Sequence, residues 1–303
     1  MSASTFQRFS FGFRAMACDN RVELFASDAP TAQRVADAVI AEVQRIEAKY
    51  SRYRSDSVVC AINTAAPAQW TPIDTETAQL LAFADACFTQ SDGLFDITAG
   101  VLRRAWDFRV ERLPTQESIS ELLPLIGWQH VERRDDAVRL MRAGMELDFG
   151  GFGKEYAADR AAAALQAASV THAFVDLGGD IVVTGPQADG GPWSLGVRHP
   201  RREGALLETL AITSGAVATS GDYERYIDVD GVRYCHILNP RAGWPVSGAE
   251  SLQCVTAFAP TCMVAGALTT ISMLKGRAGL AWLAESGAKA LAVAADGALH
   301  RYP

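Results

Sequence analysis

The apolar positions of the chain change their period partway along. From Thr31 to Tyr50, Val35, Val39, Val43 and Ile46 recur at helical spacing behind a Pro30-Thr31 start, which predicts an amphipathic helix. Thr75 to Gln90 repeats the pattern with Leu80, Leu81, Ala84 and Phe88 on one side and Gly93 just beyond. The Ala-rich segment from Gly153 to Ala168, carrying Leu165, is a third helix. After it the period shortens. Phe174 to Thr184 and Trp193 to Arg198 read as strands, punctuated by Gly178-Gly179 and Gly185-Pro186. Tyr223 to Val229 and Val232 to Leu238 flank Asp230-Gly231, a dipeptide that tolerates the positive φ angles of a type I′ hairpin turn. Leu252 to Phe258 is a further strand, followed by helices over Met263 to Leu274 and Ala278 to Glu285 and a strand pair around Asp296-Gly297. Helices and strands interleave without a regular βαβ rhythm, so the expected class is α+β with antiparallel sheets flanked by helices. No repeat or linker divides the chain, so residues 1–303 are expected to form a single domain, with room for two interleaved subdomains.

Composition narrows the function. Hydrophobic residues make up 49% and charged residues 21% of the 303, the balance of a globular protein. A formal net charge of −7 argues against a protein that grips nucleic-acid phosphates, which needs clustered Lys and Arg; the Arg201-Arg202 pair reads as solvated surface. No apolar run approaches the roughly 20 residues of a membrane span. The start, Met1 to Asn20, is polar and interrupted by Arg8 and Arg14, unlike a signal peptide, so the chain as given is expected in the cytoplasm, or in the periplasm if a leader was removed. The six cysteines form no C-x-x-C pair and sit among apolar neighbours, so a disulfide framework is not expected.

Several common chemistries fail on inspection. No G-x-G-x-x-G follows a strand; Gly150-Gly151-Phe152-Gly153-Lys154-Glu155 lacks the spacing and the Ser or Thr of a P-loop; H-E-x-x-H and G-x-S-x-G do not occur. What remains is a set of polar residues in glycine-rich turns spread through the chain, which points to a site assembled from many loops.

Five stretches carry a family resemblance when taken together: Ser51-Arg52-Tyr53 through Asp56-Ser57 to Asn63; Ser91 to Thr98, containing Asp92-Gly93-Leu94-Phe95-Asp96; Leu147-Asp148-Phe149-Gly150-Gly151-Phe152-Gly153-Lys154 with Tyr156 and Asp159; Val175-Asp176-Leu177-Gly178-Gly179-Asp180; and Thr219 to Tyr223 running on to Tyr234-Cys235-His236-Ile237-Leu238-Asn239-Pro240 and Gly243. Ala265 to Thr270 matches in part. In order and spacing, from about Met16 to Leu274, the chain resembles the FAD:protein FMN transferase (ApbE-like) family. The resemblance implies two intimately connected halves with FAD between them. It also implies Mg²⁺-dependent transfer of FMN from FAD to a Ser or Thr hydroxyl of an acceptor protein, with release of AMP. Met16, Tyr53, Leu94, Phe95, Asp96, Asp148, Lys154 and Leu238 fall where the family contacts FAD, the Gly151 carbonyl and Thr270 side chain where it holds the metal, and His236 where it places a catalytic histidine.

Each of these residues also has an ordinary structural reading. A neutral imidazole suits proton acceptance from an attacking hydroxyl, yet His236 can equally be a half-buried strand residue sharing a face with Tyr234 and Leu238. Lys154 follows glycines that let backbone approach a phosphate beside a helix start, or it is a solvated lysine. Asp96 and Asp148 can accept hydrogen bonds from a nucleotide or cap a turn. Tyr53 and Phe95 offer faces to an aromatic ring or belong to the core. Gly178-Gly179-Asp180 turns the chain near the site, with no chemical step attached.

The chain departs from the family's pattern at three places. Gly266 stands where the metal motif carries a carboxylate, which weakens a site for a hard cation; Glu155 replaces a glycine, and Cys18 replaces a threonine. Helical side chains lean toward the N-terminus, so Glu155 can aim at the Gly151 carbonyl and stand in for the lost ligand, or it can face solvent in the first turn. Three activities remain open: flavin transfer to a protein, FAD pyrophosphatase activity with water as attacker, and FAD binding without catalysis.

Overall fold

The computed structural model describes residues 6–65 and 67–303, so the first five residues of the polar Met1 to Asn20 start lie outside it. Strands β1 (Gln7–Ala15) and β2 (Cys18–Ala26) pair as a hairpin. Helix α1 (Ala29–Tyr50) begins where the Asp28 carboxylate accepts from the Thr31 amide at 2.8 Å. Then come α2 (Val58–Thr64), β3 (Thr71–Pro72) and α3 (Thr75–Gln90), the last capped by Asp74 on the Thr77 amide at 2.9 Å. A 3₁₀ stretch over Ile97–Arg104, α4 (Gln116–Leu122), β4 (Val131–Arg133) and β5 (Ala137–Leu140) lead to α5 (Gly153–Ala167). The second half holds β6 (Ala173–Leu177), β7 (Asp180–Val183), β8 (Trp193–Arg198), β9 (Leu206–Ile212), β10 (Gly215–Gly221), β11 (Tyr226–Val229), β12 (Val232–Cys235) and β13 (Leu252–Ala259). It ends with α6 (Cys262–Lys275), α7 (Ala278–Ser286), β14 (Lys289–Ala294) and β15 (Leu299–Tyr302).

Eight strands form one antiparallel sheet in the order β1-β2-β6-β7-β10-β13-β14-β15, the expected α+β class. Its central strands are covered on both faces, and alternation sorts their side chains. Val175, Leu177, Val182, Ala216 and Ala218 point into the main core with α1, α5 and α6. Phe174, Val183 and Val217 point the other way and meet Trp193, Leu195 and Ile212 of the β8–β9 hairpin. A third cluster, Leu102, Trp106, Ile119 and Ile227, secures the β11–β12 hairpin to the 3₁₀ stretch and α4. Among the described residues, no helix is long and apolar enough to cross a membrane.

Some sequence-level boundaries move. The apolar run Phe174 to Thr184 is two strands, because Gly178 and Gly179 take positive φ angles of 60° and 97° and fold it into the β6–β7 hairpin. The Asp230-Gly231 hairpin forms as expected, with φ of 53° and 77°. Strand β12 stops at Cys235, however, so His236 and Leu238 do not continue its alternation; Leu238 makes only an isolated bridge with Pro245. Arg201 is more than solvated surface, since it forks onto the buried Asp222 with two contacts of 2.6 Å.

Candidate active site

The site grows from the N-terminus of α5. Tight turns over 149–152 leave the Phe149 carbonyl accepting from both the Phe152 and Gly153 amides, at 3.1 and 2.6 Å. No side chain caps this helix; the Gly153 amide is taken by the Phe149 carbonyl, but the Lys154 amide has no partner among the described residues, and the helix dipole favours an anion there. Lys154 lies in that first turn. Its Nζ donates to Asp180 Oδ2 at 2.7 Å and reaches the Gly178 carbonyl at 3.5 Å, which ties α5 to the β6–β7 turn. Burial works against the lysine's charge, but Asp180 and Glu155 outweigh it and hold the ammonium protonated. Burial raises Asp180 as well, with Lys154 opposing. Cys18 packs against the same turn: a Cβ at Gly178 would come within 2.9 Å of its sulfur.

Glu155 faces inward rather than toward solvent. It is 8% exposed, and its Oε2 has no hydrogen-bond partner among the described residues. Burial, reinforced by Asp180, raises its pKa. The side chain lies on α6 at Gly266, where an added Cβ would stand 2.6 Å from Glu155 Cγ and 2.7 Å from Oε1. Thr270 is one helical turn further along α6, so its side chain and position 266 share a face, about 6 Å apart. The Thr270 hydroxyl lies 3.2 Å from Ser220 Oγ on β10. Among the described residues, no protein donor reaches the Gly151 carbonyl. A carbonyl, a hydroxyl and a buried carboxylate with a free oxygen are the donors a hard cation takes, so these residues fit Mg²⁺ completed by substrate phosphates. No group of three His, Cys, Asp or Glu side chains converges on a metal position among the described residues.

His236 follows β12 directly. Its amide and its Nδ1 both meet the Arg225 carbonyl, at 3.1 and 3.3 Å, and the Phe108 ring stands edge-on at 6.5 Å. A carbonyl only accepts, so Nδ1 carries the hydrogen and Nε2 keeps a free lone pair. Burial, with Arg225 and Lys154 adding positive charge, pushes the imidazole down to about 4, which keeps the ring neutral and available as a proton acceptor at neutral pH.

The remaining candidates surround this centre in different ways. Asp148 bonds the Gly150 amide at 2.9 Å and pairs with Arg52. Arg52 in turn donates to the hydroxyl of Tyr53 at 2.8 Å, and Tyr53 is 80% exposed. Phe95 is buried and stacks on Phe152 at 6.3 Å, and a Cβ at Gly151 would lie 3.1 Å from its ring; a glycine there lets the two segments meet. The Asp96 carboxylate is taken up locally: Oδ1 accepts from the Thr98 amide and hydroxyl at 2.8 and 2.6 Å, and Oδ2 from the Trp128 amide at 3.1 Å. Leu94 and Met16 pack on the edge of the main core, and Leu238 on the third cluster. The Met16 amide donates to Glu47 at 2.7 Å. Three residues escaped the sequence reading as site members. Asp180 at the β6–β7 turn holds Lys154, Arg52 pairs with Asp148, and Ser220 links Thr269 and Thr270 to β10 at 2.9 and 3.2 Å. Their one sequence signal was membership in the matched stretches.

Known proteins resemble the chain along nearly its whole length. The family model described as "ApbE family" matches residues 16–293. A FAD:protein FMN transferase of Klebsiella pneumoniae is 31% identical over 268 residues, covering 87% of this chain and 81% of its own. The structure of an ApbE protein from Thermotoga maritima superposes with a TM-score of 0.88 at 34% identity, covering 97% of each chain. That of the Pseudomonas stutzeri flavinyl transferase ApbE in its apo form gives 0.86 at 30%, covering 97% of this chain and 93% of its own. By the family match and by the extent of these likenesses, the chain belongs to the ApbE family.

Proposed function

We propose that the protein transfers FMN from FAD to a Ser or Thr hydroxyl of an acceptor protein and releases AMP, with Mg²⁺ bound at the site. The observations that carry this reading are the uncapped α5 N-terminus with Lys154 in its first turn and a neutral His236 whose charged form that lysine disfavours. That is an anion site beside a proton acceptor.

The acceptor oxygen forms a bond to the FMN-side phosphorus, and the bond from that phosphorus to the bridging oxygen breaks, leaving AMP. His236 Nε2 takes the hydroxyl proton as the bond forms. Lys154, through its ammonium and its free amide, would lie against the diphosphate and stabilise the charge that develops on its oxygens. Asp180 keeps Lys154 in place between α5 and the β6–β7 turn. The Gly151 carbonyl and Thr270 hydroxyl would hold Mg²⁺, which when bound supplies further neutralisation of phosphate charge. Support for the transfer itself comes from the likeness to a FAD:protein FMN transferase of Klebsiella pneumoniae and to the fold of the Pseudomonas stutzeri flavinyl transferase ApbE.

Chromatography of FAD, FMN and AMP after incubation, with and without Mg²⁺ and an acceptor protein, tests the reading. AMP should accumulate without matching free FMN, and only when metal and acceptor are both present. Equal free FMN and AMP without acceptor would make the protein a pyrophosphatase, and FAD recovered intact under all conditions would make it a binding protein.

A further inference from the structure

We infer that Glu155 is a metal-ligating carboxylate of this protein, reaching the cation position from α5 across the bare Gly266 of α6. The inference rests on the Mg²⁺ part of the proposed function. Three observations converge on it. The Glu155 side chain is 92% buried by its 8% exposure, yet Oε2 has no partner among the described residues. Burying a carboxylate oxygen without a donor disfavours its ionised form, and a cation meeting that oxygen would favour it again. Lys154, the adjacent cation, gives its Nζ to Asp180 at 2.7 Å, so it does not satisfy that oxygen.

The second observation is steric. Any side chain at position 266 would begin 2.6 Å from Glu155 Cγ, closer than real contacts allow, so the glycine is what admits the glutamate. The two positions form one exchangeable unit: either α6 carries a side chain at 266 or α5 carries one at 155. The third is the company the carboxylate keeps. Thr270 lies one turn from Gly266 on the same face of α6, with its hydroxyl tied to Ser220. The unpartnered Gly151 carbonyl ends the turn from which α5 starts, four residues before Glu155. Carboxylate, hydroxyl and main-chain carbonyl are oxygen ligands of the kind Mg²⁺ takes alongside substrate phosphates. The carboxylate missing from α6 has thus been supplied by the helix that faces it.

The test reads metal binding, not turnover. Mn²⁺ is titrated by electron paramagnetic resonance against the full chain in the presence of ADP, which presents a diphosphate. Glu155→Gln should weaken Mn²⁺ binding at least 10-fold while the flavin fluorescence titration with FAD in EDTA stays unchanged. Without metal, the same variant should melt at or above the wild-type temperature, because it removes a buried carboxyl with an unpartnered oxygen. The double variant Glu155→Gly with Gly266→Asp moves the carboxylate back to α6 and should recover most of the lost Mn²⁺ affinity; Glu155→Gly alone should not. Wild-type Mn²⁺ affinity in Glu155→Gln, or no recovery in the double variant relative to Glu155→Gly, overturns the assignment. Failure here is separable from failure of the proposed function. If Glu155→Gln loses Mn²⁺ but the wild type moves no FMN, the transfer reading falls and the ligand stands. If the wild type moves FMN and Glu155→Gln binds Mn²⁺ normally, the ligand falls alone.

Discussion

The α5–α6 seam and the loops around Tyr53 and His236 are built on opposite plans. Along the seam, Lys154, Asp180, Glu155 and Thr270 stand on helices and on a strand end, inside the main core's perimeter, and each is fixed by a neighbour on another element. Elsewhere, Tyr53 is 80% exposed on a loop, with its hydroxyl held by Arg52, and His236 sits half-buried one residue past the end of a strand. Charged groups meant for a polyanion must be placed in advance, since electrostatic stabilisation depends on dipoles and charges that need not reorganise. A surface that must admit both a flavin and a protein acceptor is left open instead, for the substrates to complete.

The comparison breaks most visibly at Lys154. Lys154→Met strands the buried Asp180, and urea unfolding should show a loss of about 3 kcal/mol, the low end for a broken buried pair because the lysine side chain is partly exposed. FAD should lose more affinity than riboflavin, which has no diphosphate; equal losses would remove the phosphate contact. Adding Asp180→Leu should return most of the stability and none of the FAD affinity.

On the open side, His236→Ala should leave folding and FAD affinity intact and slow AMP release about 100-fold, the scale of a lost general base. Unchanged AMP release would return His236 to a purely structural role. The pH dependence sharpens the point. With the imidazole pushed down to about 4, AMP release should hold from pH 7 to 5 and fall only as pH drops through about 4. A folded pKa below the usual histidine value of about 6.5 means that the unfolded chain binds the extra proton between those limits. Stability should therefore decline as pH falls from about 6.5 toward 4, and His236→Ala should flatten that decline. An activity limb centred near 6.5 would mean that the ring is as solvated as a free histidine.

The smallest effect belongs to Tyr53. Tyr53→Ala should change stability by less than about 0.5 kcal/mol, as an exposed residue does. If its ring stacks on the flavin, riboflavin affinity should fall by the roughly 0.5–1.5 kcal/mol of an aromatic pair. Equal riboflavin affinity in variant and wild type would exclude that stacking.

How much of this was legible depends on how local each feature is. Helices α1 and α3 were readable because their caps and apolar stripes lie within one stretch of chain, α5 because its run is rich in alanine, and the β11–β12 turn because Asp-Gly announces it. The β1–β2 hairpin was not read: its turn uses Met16 and Ala17 at φ of 54° and 61°, residues that give no turn signal. Strand β10 was missed for a different reason. Its run Gly215–Gly221 is rich in small residues of poor strand propensity, because Ala216 and Ala218 pack in the main core with Ala265 of α6, which leaves little room for bulk. In the site, motif order marked Lys154 and His236, but the partner that fixes Lys154 lies 26 residues away at Asp180 and meets it only once β7 is formed. The burial of Glu155 against Gly266 likewise depends on α5 packing on α6, and the sequence left it open between solvent and site.

One FMN should move to one acceptor hydroxyl for each AMP released. Mass spectrometry of the acceptor after incubation with the protein, FAD and Mg²⁺, with AMP quantified in the same sample, measures it directly. The acceptor should gain one FMN-sized adduct on a Ser or Thr per AMP, and none with His236→Ala over the same interval. AMP appearing with free FMN and an unmodified acceptor would contradict the claim.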